Sequence, residues 1–129
     1  MSGIYVHIPF CKSRCIYCGF YSTTGLSLQQ RYVDALCREY HLRSDYIALP
    51  PTTIYLGGGT PSVLTESQLE QLFDKLGGAE EVTLECNPDD VTEEFAVLLR
   101  RLPVNRVSMG AQTFNDERLR YLHRRHTSE

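Results

Sequence analysis

With 129 residues, 42% of them apolar and 22% charged, the chain has the length and composition of one globular domain with a real core. Its formal charge of −3 gives no electrostatic footprint for nucleic acid, and no run approaches the ~18 apolar residues of a membrane span. His7, Pro9 and a group of cysteines interrupt what a secretion signal would keep apolar, and five cysteines with three in one short loop do not read as a disulfide framework, so a reducing cytoplasm is the expected compartment.

Residues 4–10 are β-rich and too short for a helix, which predicts a strand. A cysteine loop follows, closing through Gly19-Phe20-Tyr21-Ser22 and the turn-prone Thr23-Thr24-Gly25. Ser27 with Gln30 reads as a capping box for a helix running to about Ser44, with Val33, Leu36, Cys37 and Tyr40 on its apolar stripe. Pro50-Pro51 breaks that helix before a second strand, 53–56, which runs into Gly57-Gly58-Gly59-Thr60-Pro61. Thr65 with Gln68 caps a helix carrying Leu69, Leu72, Phe73 and Leu76 and stopped by Gly77-Gly78. A third strand, 81–85, ends at Asn87-Pro88, and Asp90 with Glu93 is the expected cap of a third helix bearing Phe95, Leu98, Leu99 and Leu102. A fourth strand, 106–109, leads into Gly110-Ala111-Gln112, and a last helix begins near Asn115 with Leu119 and Leu122 on it. Strand and helix alternate four times at spacings too long for hairpins, which requires parallel strands joined by right-handed crossovers. Functional groups of such sheets gather at the carboxyl ends of strands, so the cysteine loop, the triple glycine, Glu85-Cys86-Asn87 and Gln112 are expected on one rim.

Cys11, Cys15 and Cys18, spaced Cys-x3-Cys-x2-Cys, can converge on one soft metal centre, zinc or iron–sulfur rather than calcium or magnesium. Structural zinc closes with four protein ligands, and no fourth Cys or His stands nearby toward the C-terminus. A [4Fe–4S] cubane held by three cysteines instead keeps one iron open, the chemistry of enzymes that bind S-adenosylmethionine (SAM) through its amino and carboxylate groups. Gly57-Gly58-Gly59-Thr60-Pro61 lacks the lysine of a P-loop and the spacing of a dinucleotide fingerprint. It reads either as bare backbone that a ligand approaches, with strand-end carbonyls and the Thr60 hydroxyl accepting from an ammonium group, or as a simple strand-to-loop turn. Glu85 is either an acceptor for ribose hydroxyls or an ammonium, or a solvated carboxylate, and Gln112, similarly placed, is either a ligand contact or an ordinary loop residue. Cys37 and Cys86 read as packing residues, His7 as either a pocket residue or a buried imidazole. Most charges in Arg118–His126 read as a solvated helix face, with one guanidinium free to grip a carboxylate.

The cysteine loop after IYVHIPF, then YLGGGTPS, LECNP and RVSMGAQTFND with a following L-x3-H-R, resembles in order and spacing the oxygen-independent coproporphyrinogen III oxidase family of radical SAM proteins. That resemblance covers essentially the whole chain and implies an α/β fold, the first four units of a partial (β/α)6, TIM-like barrel, so that residues 1–129 would be the N-terminal part of a radical SAM core with a C-terminal remainder absent. It assigns Cys11, Cys15 and Cys18 to the [4Fe–4S] cluster and Tyr5, Tyr17, Gly58, Gly59, Thr60, Glu85, Gln112 and Arg124 to SAM. Oxidases of the family carry a further cysteine two residues past the third, where this chain has Phe20; phenylalanine there is typical of the haem-chaperone branch. The resemblance therefore implies haem trafficking, with oxidative decarboxylation of a porphyrinogen and a thiolate metal module without catalysis as alternatives. Haem or porphyrinogen is the implied partner beside SAM, and the electron donor is not identified by any residue. A fourth strand with an open edge, and Val107 and Met109 expected on its inner face, would also favour self-association.

Overall fold

The computed structural model of the chain describes residues 2–19 and 22–129; Phe20, on which the two branches differ, lies outside the described residues. Four strands, β1 (Gly3–Ile8), β2 (Thr53–Gly58), β3 (Glu81–Cys86) and β4 (Arg106–Met109), form one sheet in the order β1-β2-β3-β4. Every pairing is parallel, with Val6 opposite Leu56, Leu56 opposite Leu84 and Leu84 opposite Val107. Helices α1 (Gln29–Leu42), α2 (Glu66–Leu76), α3 (Glu93–Arg101) and α4 (Asp116–Tyr121) follow the strands in turn. All four strand ends therefore point the same way, and the fold is the parallel βα repeat expected from the sequence.

Strand alternation divides the sheet into two faces. Val6, Ile8, Ile54, Leu56, Val82, Leu84 and Cys86 are buried with Val33 and Cys37 of α1, Leu69, Leu72, Phe73 and Leu76 of α2, and Leu98 of α3. Tyr5, His7, Tyr55, Thr83 and Glu85 occupy the alternate positions and make the opposite face. The register corrects one expectation: Val107 and Met109 pair with Leu84 and Cys86, so they lie on the helix side, and Arg106 and Ser108 stand on the inner face. Val107 is 41% and Met109 53% exposed all the same, because among the described residues β4 pairs with β3 alone and only part of its helix side is covered.

Turn chemistry explains most element boundaries. The Thr65 hydroxyl accepts from the Gln68 amide at 3.3 Å while the Gln68 side chain accepts from the Thr65 amide at 3.0 Å, the reciprocal box foreseen. Gly77 ends α2 at φ 72, a conformation that glycine adopts without penalty. The Ser27–Gln30 box does not form: a 3-10 turn over Leu26–Leu28 precedes α1, whose N-cap is Leu28 with no side-chain bond. The Gln30 amide is engaged instead with Asp34 and Gln71, each at 2.9 Å, tying α1 to α2. At its other end α1 stops at Leu42, and Ser44 begins a 3-10 turn. Thr92, not Asp90, caps α3, accepting from the Phe95 amide at 3.1 Å; Asp90 closes a 3-10 turn over Pro88–Asp90 and turns its carboxylate inward. Strand β1 ends two residues earlier than expected, since Pro9 has no amide to donate, and Phe10 bridges to Thr23 instead. No helix among the described residues is long and apolar enough to cross a membrane.

Candidate functional site

The cysteine loop is pinned at its base. The Cys11 amide donates to the Thr23 carbonyl at 3.0 Å and the Thr23 amide to the Pro9 carbonyl at 2.6 Å, so Thr23 is held beside the stretch that follows β1. Within it the Cys18 amide donates to the Cys15 carbonyl at 3.1 Å, a tight turn that draws the second and third thiols together. Cys11 is buried, Cys15 and Cys18 are half-buried, and all three are free thiols. They line one cavity of about 90 Å³, opposite Gly59, Thr60 and Arg124. Among the described residues, no three His, Cys, Asp or Glu donors are gathered around a single ion position; the thiols stand about the cavity instead.

The end of β2 is bound to the end of β1 beyond the regular ladder. The Gly59 amide donates to the Ile8 carbonyl at 2.7 Å and the Thr60 amide to the Phe10 carbonyl at 2.6 Å. A Cβ on Gly59 would sit 2.5 Å from the Phe10 oxygen, and one on Gly58, whose φ is 111, would sit 2.7 Å from the His7 ring. What the glycines approach so closely is thus the chain's own first strand, and that approach carries Thr60 up to the cysteine loop. Gly59→Ala is expected to force the two strand ends apart and to lower the unfolding free energy by about 1–3 kcal/mol, the usual cost of overpacking, read from the midpoint of urea denaturation. An unchanged midpoint would mean that the Phe10 backbone yields freely.

Glu85, last but one in β3, projects from the inner face and is held from two sides. The Tyr55 hydroxyl donates to it at 2.6 Å and the Gly58 amide at 3.3 Å. The Tyr55 phenol is pushed above its ordinary range, first by this hydrogen bond to Glu85 and then by burial. Tyr5 stacks on Tyr55 with ring centroids 6.0 Å apart and shares a 3.1 Å hydrogen bond with His7 Nδ1. Burial, then the Glu85 charge, raises the Tyr5 phenol in turn. Both phenols are thus biased toward the neutral form, and Tyr55 stands as a donor to the carboxylate.

A second cavity, of about 270 Å³, opens at the ends of β3 and β4 between Thr60, Glu85, Ser108, Gly110, Gln112 and Arg124. Its wall is shared with the cysteine cavity: Tyr17, Gly59, Thr60, Asn87 and Arg124 line both. Gln112 is in the left-handed region at φ 68, and a Cβ on Gly110 would come within 2.8 Å of its side-chain amide. Arg124 joins the two loops: one guanidinium nitrogen lies 3.4 Å from Cys15 Sγ and 3.2 Å from the Tyr17 hydroxyl, and the other donates to the Gly110 carbonyl. Its Nε is buried and has no protein partner among the described residues. The Tyr17 phenol is raised, burial leading, with the neighbouring Arg124 charge pulling the other way.

Of the residues singled out from sequence, the structure brings Cys11, Cys15, Cys18, Tyr17, Gly59, Thr60, Glu85, Gln112 and Arg124 around the joined cavities. Tyr5 and Gly58 line neither cavity; both meet the site through Glu85, Gly58 by its amide and Tyr5 by way of Tyr55. Cys86 is buried against the core, and burial, then the Asp90 and Glu85 charges, push its thiol up to about 12. Sequence reasoning missed Tyr55 and Ser108, while Asn87, expected on the rim with Glu85, lines both cavities. Tyr55 was within reach, since it lies two residues before Gly57 on the face that carries Glu85.

The donor set fits a cubane cluster with SAM. Three free thiols surround a void, a guanidinium stands over Cys15 to offset negative charge, and the orphaned Arg124 Nε is a buried donor awaiting an acceptor such as a carboxylate.

Residues 5–129 match the family model described as the Radical SAM superfamily. The protein named heme chaperone HemW of Lactococcus lactis is 40% identical over 134 residues, a stretch covering 98% of this chain and 34% of that protein. The protein of the same name from Bacillus subtilis is 37% identical, covering 98% and 36%, and that from Escherichia coli 35%, covering 96% and 35%. The solved structure of coproporphyrinogen III oxidase (HemN) from Escherichia coli, titled a radical SAM enzyme, superposes with a TM-score of 0.83 at 31% identity, covering 97% of this chain and 31% of that one. The chain thus spans about a third of the length of the proteins it matches.

Proposed function

This chain belongs to the radical SAM superfamily, and we propose that it holds a [4Fe–4S] cluster on Cys11, Cys15 and Cys18, with SAM beside it, as the N-terminal portion of a haem-trafficking protein. One observation carries the reading: the thiol cavity and the strand-end cavity share a wall of Tyr17, Gly59, Thr60, Asn87 and Arg124, so a ligand in the second reaches the first. When bound, the cluster and SAM together supply one-electron reductive cleavage of a sulfonium bond.

The chain's own residues bind and orient. Arg124 takes a carboxylate through its fork, already held in place by Gly110. Glu85 receives an ammonium or ribose hydroxyls, and the Tyr55 and Gly58 bonds keep it from swinging away. Thr60 and Gln112 line the same cavity and bring hydrogen-bonding groups to it. Tyr17 lines both cavities and offers its hydroxyl beside Arg124. Tyr5 and Gly58 act from behind, through Tyr55 and Glu85.

The curated relatives named heme chaperone, 35–40% identical over nearly the whole chain, support haem trafficking over oxidative decarboxylation of a porphyrinogen. Anaerobic reconstitution with iron and sulfide tests the site: about four irons per chain are expected, with SAM perturbing the spectrum of the reduced cluster. Stoichiometric zinc with no iron uptake sinks the reading. In the intact protein, haem retained without carbon dioxide release from coproporphyrinogen III is the expected outcome; turnover of the porphyrinogen would favour the oxidase.

A further inference from the structure

Beyond α4 the chain crosses the strand ends as a strap, Leu122–His126, and its successive residues fasten different loops. The Leu122 carbonyl accepts from the Ile16 amide of the cysteine loop at 3.3 Å. Arg124 reaches Cys15, Tyr17 and Gly110, and His126 Nε2 lies 3.0 Å from the Ala111 carbonyl, so these two alternate residues face the loops after β1 and β4. Arg125, between them, points the other way. One of its terminal nitrogens lies 3.2 and 3.1 Å from the two oxygens of Asp90, and its Nε lies 3.9 Å from Asp89.

Asp90 is a junction in its own right. Its side chain is only 7% exposed, yet besides Arg125 it accepts from the Ser62 hydroxyl at 2.6 Å and lies 3.5 Å from Lys12 Nζ. The Ser62 oxygen in turn accepts from the Asn87 amide at 3.2 Å. The loops after β1, β2 and β3 and the strap thus meet at one buried carboxylate. A buried carboxylate is tolerated only when paired, and removing its partner leaves a charge that reorganises whatever holds it.

We infer that the Asp90–Arg125 pair is the positioning element of the site: it locks the strap so that Arg124 stands between the cysteine loop and the strand-end cavity. Neither residue lines the joined cavities beside Arg124; both act through Arg124 and the Ile16–Leu122 bond. The alternation of Arg124, Arg125 and His126 makes the geometry specific, because releasing the middle residue frees the two that flank it. The inference rests on the reading that Arg124 grips a ligand, but its central test does not.

Amide exchange at Ile16 reports the docked strap without any cofactor. In the metal-free chain, Arg125→Gln and Asp90→Asn are each expected to speed Ile16 exchange about tenfold, the loss of one charge-assisted contact, while Leu84 in the sheet stays protected. Arg125→Lys keeps the charge and should restore most of the protection, and the double variant should add nothing to the larger single effect. In the reconstituted chain at equal iron content, the Gln and Asn variants are expected to weaken SAM binding about tenfold. Unchanged Ile16 exchange overturns the inference, as does a uniform rise that includes Leu84, which would make the pair a general fold stabiliser. If the wild-type chain takes up no iron, the functional reading falls while the exchange measurements still decide the strap.

Discussion

Cys11→Ala, Cys15→Ala and Cys18→Ala are each expected to abolish iron uptake, whereas Cys37→Ala and Cys86→Ala leave it at the wild-type level. Thiolates, not thiols, hold iron, and Cys37 and Cys86 are held back from forming one. Cys86 is held neutral by burial and by the Asp90 and Glu85 charges, its thiol pushed up to about 12. Burial likewise raises Cys37, whose sulfur lies 3.9 Å from the Gln71 carbonyl in the seam between α1 and α2. The three loop cysteines share a cavity with a guanidinium beside Cys15, and on the proposed assignment losing any one would leave a cluster with two protein ligands. Two measurements check this together: iron and sulfide content after reconstitution, and alkylation of the metal-free chain with iodoacetamide. In the second, Cys15 and Cys18 should be modified and Cys37 and Cys86 spared until the chain unfolds. Iron uptake that survives loss of a loop cysteine but not of Cys86 would overturn the assignment of ligands.

The repeat itself was legible because each strand is a short apolar run and each helix carries a periodic stripe, as in Leu69, Leu72, Phe73 and Leu76. Parallel strands follow from the length of the connections, and the rim of functional loops follows from parallel strands. The cysteine loop needed nothing but spacing. The misses share a physical cause, which is competition among distant partners for the same polar group. Gln30 looked like half of a local capping box but bonds Gln71 across 41 residues, and Asp90 looked like a cap but serves Ser62 and Arg125. Val107 and Met109 were placed on the wrong face because a four-residue strand shows too little alternation to fix its phase; register against Leu84 and Cys86 does so. The triple glycine was read as room for a ligand; Gly59 does line both cavities, and Gly58 and Gly59 also let the strand ends pack on His7 and Phe10, neighbours that sequence separation conceals.

Arg124→Gln is expected to weaken SAM binding by at least ~30-fold, while the chain still loads about four irons, as the cluster reading requires. Arg124 lies in a part-buried seam where its terminal nitrogens already contact Cys15, Tyr17 and Gly110, so the guanidinium is oriented before any ligand arrives. Its Nε has no protein partner among the described residues, an arrangement that costs stability unless a ligand completes it. Truncating one member of a buried charge pair typically costs 2–5 kcal/mol, and about 2 kcal/mol is already a factor of ~30 in the dissociation constant. Arg124→Lys separates charge from geometry. Lysine restores the cation but brings a single point of contact, so its loss should fall between wild type and glutamine. Anaerobic equilibrium dialysis of labelled SAM against chains matched for iron content reads all three. If glutamine and wild type bind SAM alike, the carboxylate is held elsewhere and the orphaned nitrogen has another explanation. If iron is lost along with SAM, the contact with Cys15 outweighs the grip on the ligand, and Arg124 belongs to the cluster's support.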